Sequence, residues 1–206
     1  MTLEDLHKSY ISVTLAALML DRSRRSAMNE TVRPHRIVVM GVAGSGKTTI
    51  GTALAERLGL PFADADDFHP AANVAKMRAG RPLDDDDRLP WLHALGAWLA
   101  DHPAGGVVSC SALRVGYRDL LRSHAQDLTF LHLAGDADVV TARVAARTDH
   151  FMPASLVSSQ LELLEPLRAD EAGVVADLAR PVDDLVDELS TLFRGGLAAA
   201  ATGGTR

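Results

Sequence analysis

The sequence predicts a three-layer α/β/α fold built on a central parallel sheet. Three observations carry this prediction. Short β-branched runs alternate with segments of helical periodicity, several of those runs are apolar throughout, and a glycine-rich turn joins the first run to the first helix. Strands separated by helical segments require parallel β-α-β crossovers, and a strand covered on both faces reads as a continuous hydrophobic run.

The elements follow in order. "RIVVM" (Arg36 to Met40) is the first buried strand, and the glycine-rich turn leads into "TTIGTALAERLG". There Ile50, Leu54 and Leu58 recur at helical spacing, and Gly59 stands where a helix ends in the left-handed conformation. "PFADAD" is a second strand finishing on aspartates. "WLHALGAWLA" is a helix with Trp91, Leu95, Trp98 and Leu99 on one face, and Pro90 suits its first turn, where a missing N–H costs little. "GVVSCSA" and "LTFLHLAG" are further strands, each followed by a helical segment, "RVGYRDLLRSH" and "DADVVTARVAARTDH". "GVVADLA" and "PVDDLVDELSTLF" complete the last strand–helix pair.

A chain of 206 residues, 47% hydrophobic and 23% charged, holds one sizeable soluble domain rather than two. We place that domain at 35–194, after an extension over 1–34 and before a Gly/Ala-rich tail over 195–206; Met28 is an alternative start. In the extension, the apolar run "ISVTLAALML" is too short to span a bilayer, and its acidic residues precede it while "RSRR" follows, the reverse of a secretory signal. A net charge of −6 argues against a general nucleic-acid surface, and a single cysteine, Cys110, permits no disulfide within the chain. A cytoplasmic protein without nucleic-acid or membrane partners is the expectation.

The most informative stretch is "GVAGSGKT", which fits G-x-x-x-x-G-K-[ST] between a predicted strand and a predicted helix. Its glycines let successive N–H groups curl toward phosphate oxygens at the positive end of the helix. The predicted nucleotide contacts are Gly41, Val42, Ala43, Gly44, Ser45, Gly46, Lys47, Thr48 and Thr49, with Lys47 on the β- and γ-phosphates and Thr48 on Mg²⁺. ATP and Mg²⁺ are therefore the expected nucleotide and metal. No guanine-reading N-K-x-D follows, and the "GVVSCSA" strand ends in Cys110 and Ser111 rather than in Asp or Asp-Glu. The aspartates instead close the second strand, as Asp64, Asp66 and Asp67, on the crevice shared with the phosphate loop. Carboxylates there can hold Mg²⁺ through water or accept a proton from an attacking hydroxyl, which suits a small-molecule kinase. Ser111 lacks a nucleophile elbow, and no H-E-x-x-H occurs.

From Asp64 the chain reads "DADDFHPAANVAKMRAGRPLDDDDRLPW", and later "CSALRVGYRDLLR" and "ARTDHFMPASLVSSQLELLEP". These segments resemble the gluconokinases, P-loop kinases that phosphorylate the 6-hydroxyl of D-gluconate. The likeness runs from about Arg36 to Phe193; Ala65 replaces a family glycine, and the family is not known for the extension. The resemblance implies Asp66 as the group that orients the attacking hydroxyl and Asp64 as Mg²⁺ support. It implies His69, Ser111, Lys76, Arg88 and Arg118 at the acceptor, the last three as candidates for its carboxylate, since an arginine fork suits that group best. A lid around 147–166 follows, with Arg147 as transition-state cation and Arg143 as its partner one helical turn away. Homodimers are common in the family, though nothing locates an interface.

Each role has a plainer competitor. Asp66 or Asp67 can cap a helix, His69 can be a loop hydrogen-bonder, Lys76 and Arg118 can be solvated, and the lid arginines can serve a helix C-terminus. Around the run Asp84 to Asp87, the family pattern aligns with Asp85, Asp87, Arg88, Pro90 and Trp91, leaving Asp84 and Asp86 solvated and Asp87 to cap the Trp91 helix or hold Arg88. A shikimate or nucleoside monophosphate kinase, and a nucleotide-binding switch without catalysis, remain as alternatives.

Overall fold

The structure is a computed structural model that describes residues 35–145 and 154–195. The extension over 1–34, most of the tail and Arg147 lie outside the described residues. The elements run β1 (His35–Met40), α1 (Lys47–Leu58), β2 (Phe62–Asp64), a 3₁₀ turn (Ala65–Phe68), α2 (Ala71–Arg78), α3 (Asp85–Asp101), β3 (Gly105–Ser109), α4 (Val115–His124), β4 (Leu128–Ala134), α5 (Ala137–Ala145), α6 (Ala154–Leu163), β5 (Gly173–Asp177) and α7 (Val182–Arg194).

Among the described residues five strands form one sheet in the order β2-β3-β1-β4-β5, all parallel. The central strand shows why the sheet carries a layer on each face. Ile37 and Val39 enter a core with Ile50 and Leu54 of α1 and Leu189 and Phe193 of α7. Val38 and Met40 point the other way, into a core with Trp91, Leu95 and Leu99 of α3 and Leu121 of α4. Alternate residues of one strand thus feed two cores, and burying each such side chain contributes about 1.5–3 kcal/mol. The predicted three-layer α/β/α architecture is borne out.

Helix α1 ends as expected, with Gly59 in the left-handed conformation (φ 68°) and its N–H returned to the last turn. Helix α3 differs from the reading. It begins at Asp85, with Asp84 as N-cap and a reciprocal capping box: the Asp87 N–H donates to Asp84 Oδ1 (2.9 Å) and the Asp84 N–H to Asp87 Oδ2 (3.0 Å). Asp84 is therefore a structural cap, and Asp87 caps the helix from its third position. Pro90 sits inside the helix, past the first turn; it deprives the Asp86 carbonyl of a donor, and both residues are exposed to water. Asp85, Asp86 and Asp87 occupy the first turn, where the helix dipole favours negative charge.

Candidate active site

The phosphate loop and the strand-end aspartates meet at the carboxyl ends of β1, β2 and β3. In the loop, Gly44 is left-handed (φ 80°), and a Cβ there would fall 2.4 Å from Val144 of α5. At Gly41 (φ 144°) a Cβ would lie 2.8 Å from both the Leu133 carbonyl oxygen and Ser45 Oγ, so only glycine fits. The Gly41 N–H donates to the Ser111 carbonyl at 3.4 Å, which fastens the loop to the end of β3. Lys47 Nζ donates to the Val42 carbonyl at 3.0 Å, curling back over the loop.

Asp64 joins the metal-binding candidates. Thr48 Oγ1 donates to Asp64 Oδ2 at 2.8 Å, while Asp64 Oδ1 accepts the Asp66 N–H at 3.1 Å. The cap of the 3₁₀ turn is thus Asp64, not Asp66 or Asp67, and Asp66 is left exposed at the crevice. A hydroxyl from the first turn of α1 and a carboxylate from the end of β2 make an oxygen donor set of the kind Mg²⁺ takes.

Two buried side-chain polar atoms among the described residues make no hydrogen bond, Ser45 Oγ in the phosphate loop and His69 Nδ1 on the acceptor side. Buried groups of this sort are rare in native structures, and both of these lie where the phosphate loop and the strand-end aspartates meet. The His69 ring stacks on Trp91 at 4.5 Å and 12°. Burial lowers its pKa from 6.5, Asp66 opposes that and Arg88 adds to it, so the ring is neutral at pH 7 and near both charges. Ser111 is half-buried, and Ala112 beside it adopts φ 43°, a strained conformation for a side-chain-bearing residue. Cys110 is buried, and burial pushes its thiol up to about 12, which makes it an inert packing residue.

The basic candidates separate. Arg118 is 0% exposed: Nε and Nη2 hold the Glu171 carboxylate at 2.7 and 2.9 Å, and its remaining donors reach the carbonyls of Ala112, Leu113, Glu165 and Pro166. A guanidinium so enclosed has no face for a substrate, so its expected role at the acceptor is replaced by a structural one. Lys76 pairs with Asp84 (3.2 Å) and with Asp87, whose hydrogen bond above all raises the lysine's pKa. Its ammonium serves the cap of α3 rather than an open pocket. Arg88 is half-buried, its Nη1 3.3 Å from Tyr117 Oη and 3.6 Å from Asp85.

On the α5 side of the phosphate loop a cavity of about 300 Å³ lies beside Gly44, Thr49 and Arg143, closed by Leu178 and Arg180 of the β5–α7 connection and by Val182 of α7. Arg143 Nη2 donates to the Leu178 carbonyl at 2.8 Å, so it faces this cavity. The sequence reading missed that connection, since nothing in "DLARPV" marks it. It also left Gln160 of α6 without a role, although its Oε1 accepts the Ala43 N–H of the phosphate loop at 2.6 Å. Arg114 and Tyr117, which meet at Asp85, are a third omission: Arg114 stands in the quoted "CSALR", directly after the β3 strand, yet received no role.

Comparison with known proteins bears on this geometry. The chain matches the shikimate kinase family over residues 43–187. It is 42% identical to the gluconokinase of Gluconobacter oxydans (strain 621H) over 166 residues, which cover 79% of this chain and 93% of that protein. It is 41% identical to the thermoresistant gluconokinase of Escherichia coli (strain K12) over 174 residues, 82% and 99% of the two chains. The solved gluconokinase of Sinorhizobium meliloti 1021 superposes with a TM-score of 0.72 at 48% identity, covering 78% of this chain and 92% of that one. Phosphate loop, strand-end aspartates and these relatives agree: the chain belongs to the gluconokinase family of P-loop kinases.

Proposed function

We propose that this protein transfers the γ-phosphoryl group of ATP to the 6-hydroxyl of D-gluconate, giving 6-phospho-D-gluconate and ADP, in the cytoplasm and from residues 35–194. The observation that carries this is the convergence of the two halves of the site. The phosphate loop touches the β3 end through Gly41 and Ser111 (3.4 Å) and the β2 end through Thr48 and Asp64 (2.8 Å). The nucleotide and the acceptor aspartates therefore share one crevice, as a direct in-line transfer requires.

In this reading Lys47 and the loop N–H groups hold the β- and γ-phosphates. Asp66, its backbone fixed by Asp64, takes the proton of the 6-hydroxyl as the new O–P bond forms and the bond to the ADP oxygen breaks. Thr48 and Asp64 are the residues that fit Mg²⁺, which when bound neutralises charge on the β- and γ-oxygens. His69 and Ser111 face acceptor hydroxyls, and neutral His69 can both donate and accept. Arg143 sits at the nucleotide, and Arg147 remains the proposed transition-state cation. The test is to incubate the protein with Mg·ATP and D-gluconate and identify the product by ³¹P NMR. A phosphomonoester on the primary C6 hydroxyl supports the proposal, and ADP with inorganic phosphate alone contradicts it.

A further inference from the structure

Of the basic residues expected at the acceptor carboxylate, the structure encloses Arg118 and engages Lys76 with Asp84 and Asp87. Arg88, the third candidate, remains, and Arg114 stands beside it. Arg114 is the residue before α4, and its Nη1 donates to both oxygens of Asp85, at 3.1 and 2.9 Å. Arg88 Nη1 lies 3.6 Å from the same carboxylate, and Tyr117 Oη donates to it. Both guanidinium carbons sit 5.8 Å from the Tyr117 ring centre, so one aromatic ring holds the two forks in place. Neither arginine uses Nε or Nη2 in a hydrogen bond to a described residue.

This cluster borders a cavity of about 460 Å³ between α3 and α6, whose lining includes Asp85, Asp86, Arg88, Arg114 and Ser159 together with Asp84, the carboxylate already engaged by Lys76 and the α3 cap. Trp91, three residues along α3 from Arg88, stacks on His69 with ring centres 4.5 Å apart, which connects the cavity to the His69 side of the crevice. The chemistry is that of a hydroxy acid's receptor: two guanidiniums for a carboxylate, and the Asp86 carboxylate for hydroxyls. One carboxylate already occupies the guanidiniums. The Asp85 side chain is 59% exposed and stands on the first residue of a helix, so it can turn to water at little cost.

We infer that Arg88 and Arg114 form the receptor for the acceptor's carboxylate, and that Asp85 is its built-in stand-in, displaced when the acid binds. This rests on the reading of the protein as a kinase of a sugar acid. An acidic acceptor exchanges one carboxylate for another on the same donors. A neutral polyol leaves Asp85 where it is and gains nothing from either arginine, so the stand-in works against the wrong acceptor.

The experiment compares D-gluconate with D-glucitol, which carries a hydroxymethyl group in place of the carboxylate, in the full-length chain and in Arg114→Met, Arg114→Lys and Asp85→Asn. Binding of each polyol in the presence of ADP is read by calorimetry beside the kinetics. Arg114→Met is expected to cut the preference for gluconate by about 10- to 100-fold, with the KM for Mg·ATP unchanged and partial recovery in Arg114→Lys. Asp85→Asn is expected to lower the gluconate KM several-fold. An equal loss for gluconate and glucitol in Arg114→Met, or a raised gluconate KM in Asp85→Asn, overturns the inference while leaving the gluconokinase reading intact. If the wild-type chain instead uses another carboxylate acceptor such as shikimate, that reading fails, and the receptor stands only if Arg114→Met weakens the new acid selectively. Use of neutral acceptors alone overturns both.

Discussion

Arg118→Met removes the centre of a buried network, and its cost follows from the contacts. The Glu171 carboxylate is enclosed with it and loses two hydrogen bonds, while the carbonyls of Ala112, Leu113, Glu165 and Pro166 lose their shared donor. Removing one member of a buried ion pair costs about 3–5 kcal/mol. Glu171 keeps Arg122 Nη1 and the Arg168 N–H, each at 2.9 Å, so the lower end, about 3 kcal/mol, is expected. For a chain of this size that lowers Tm by about 6–12 °C. Urea and thermal unfolding of the two proteins measure it. The pH dependence has a definite sign. Burial alone would raise the pKa of Glu171, but the Arg118 and Arg168 hydrogen bonds and the charges of Arg118 and Arg122 outweigh it and pull it to about 2 from 4.5. A depressed carboxylate stabilises the fold above 4.5 and loses that contribution as pH falls toward 2. The gap between wild type and Arg118→Met should therefore narrow below pH 4.5. The double variant Arg118→Met/Glu171→Gln should recover part of the loss. A stability loss under about 1 kcal/mol together with a raised gluconate KM would refute the reasoning and return Arg118 to the acceptor.

The catalytic machinery gives further expectations. Lys47→Ala and Asp66→Asn should each lower kcat by at least about 100-fold while thermal unfolding stays cooperative, and full activity in Asp66→Asn would remove that residue from the mechanism. Thr48→Val, which deletes the hydroxyl that meets Asp64, should raise the Mg²⁺ concentration needed for half-maximal rate, as read from a Mg²⁺ titration at fixed ATP. Because burial lowers His69 below 6.5, the acceptor KM should be flat with pH above that value and rise only below it, as the ring gains a proton beside Arg88. A KM that changes between pH 7 and 8 would show that His69 does not titrate in this way.

What was readable in the sequence was local. The phosphate loop declares itself because its glycines and Lys47 are contiguous, and the strands because runs such as Ile37 to Met40 are buried on both faces. The start of α3 was misread for a local reason as well. Four aspartates resemble a solvated loop, whereas Asp84 and Asp87 are a capping box three residues apart that uses aspartate where glutamate is usual. The remaining errors are non-local. Helical spacing places Arg118 on α4, but its burial depends on Glu171, 53 positions along the chain. Arg114 acquires a purpose only when α3 brings Asp85, 29 positions earlier, against it. Gln160 reaches the phosphate loop across 117 positions, and no pattern in its neighbours announces the contact.

In the proposed function one crevice joins ATP to a sugar acid. The most direct measurement is coupled ADP release by the purified chain with Mg·ATP and D-gluconate, shikimate, a set of nucleoside monophosphates, or no acceptor. Turnover with D-gluconate is expected well above every other condition, with a low rate without acceptor. Turnover confined to shikimate or a nucleotide, or ADP release indifferent to the acceptor, would contradict it.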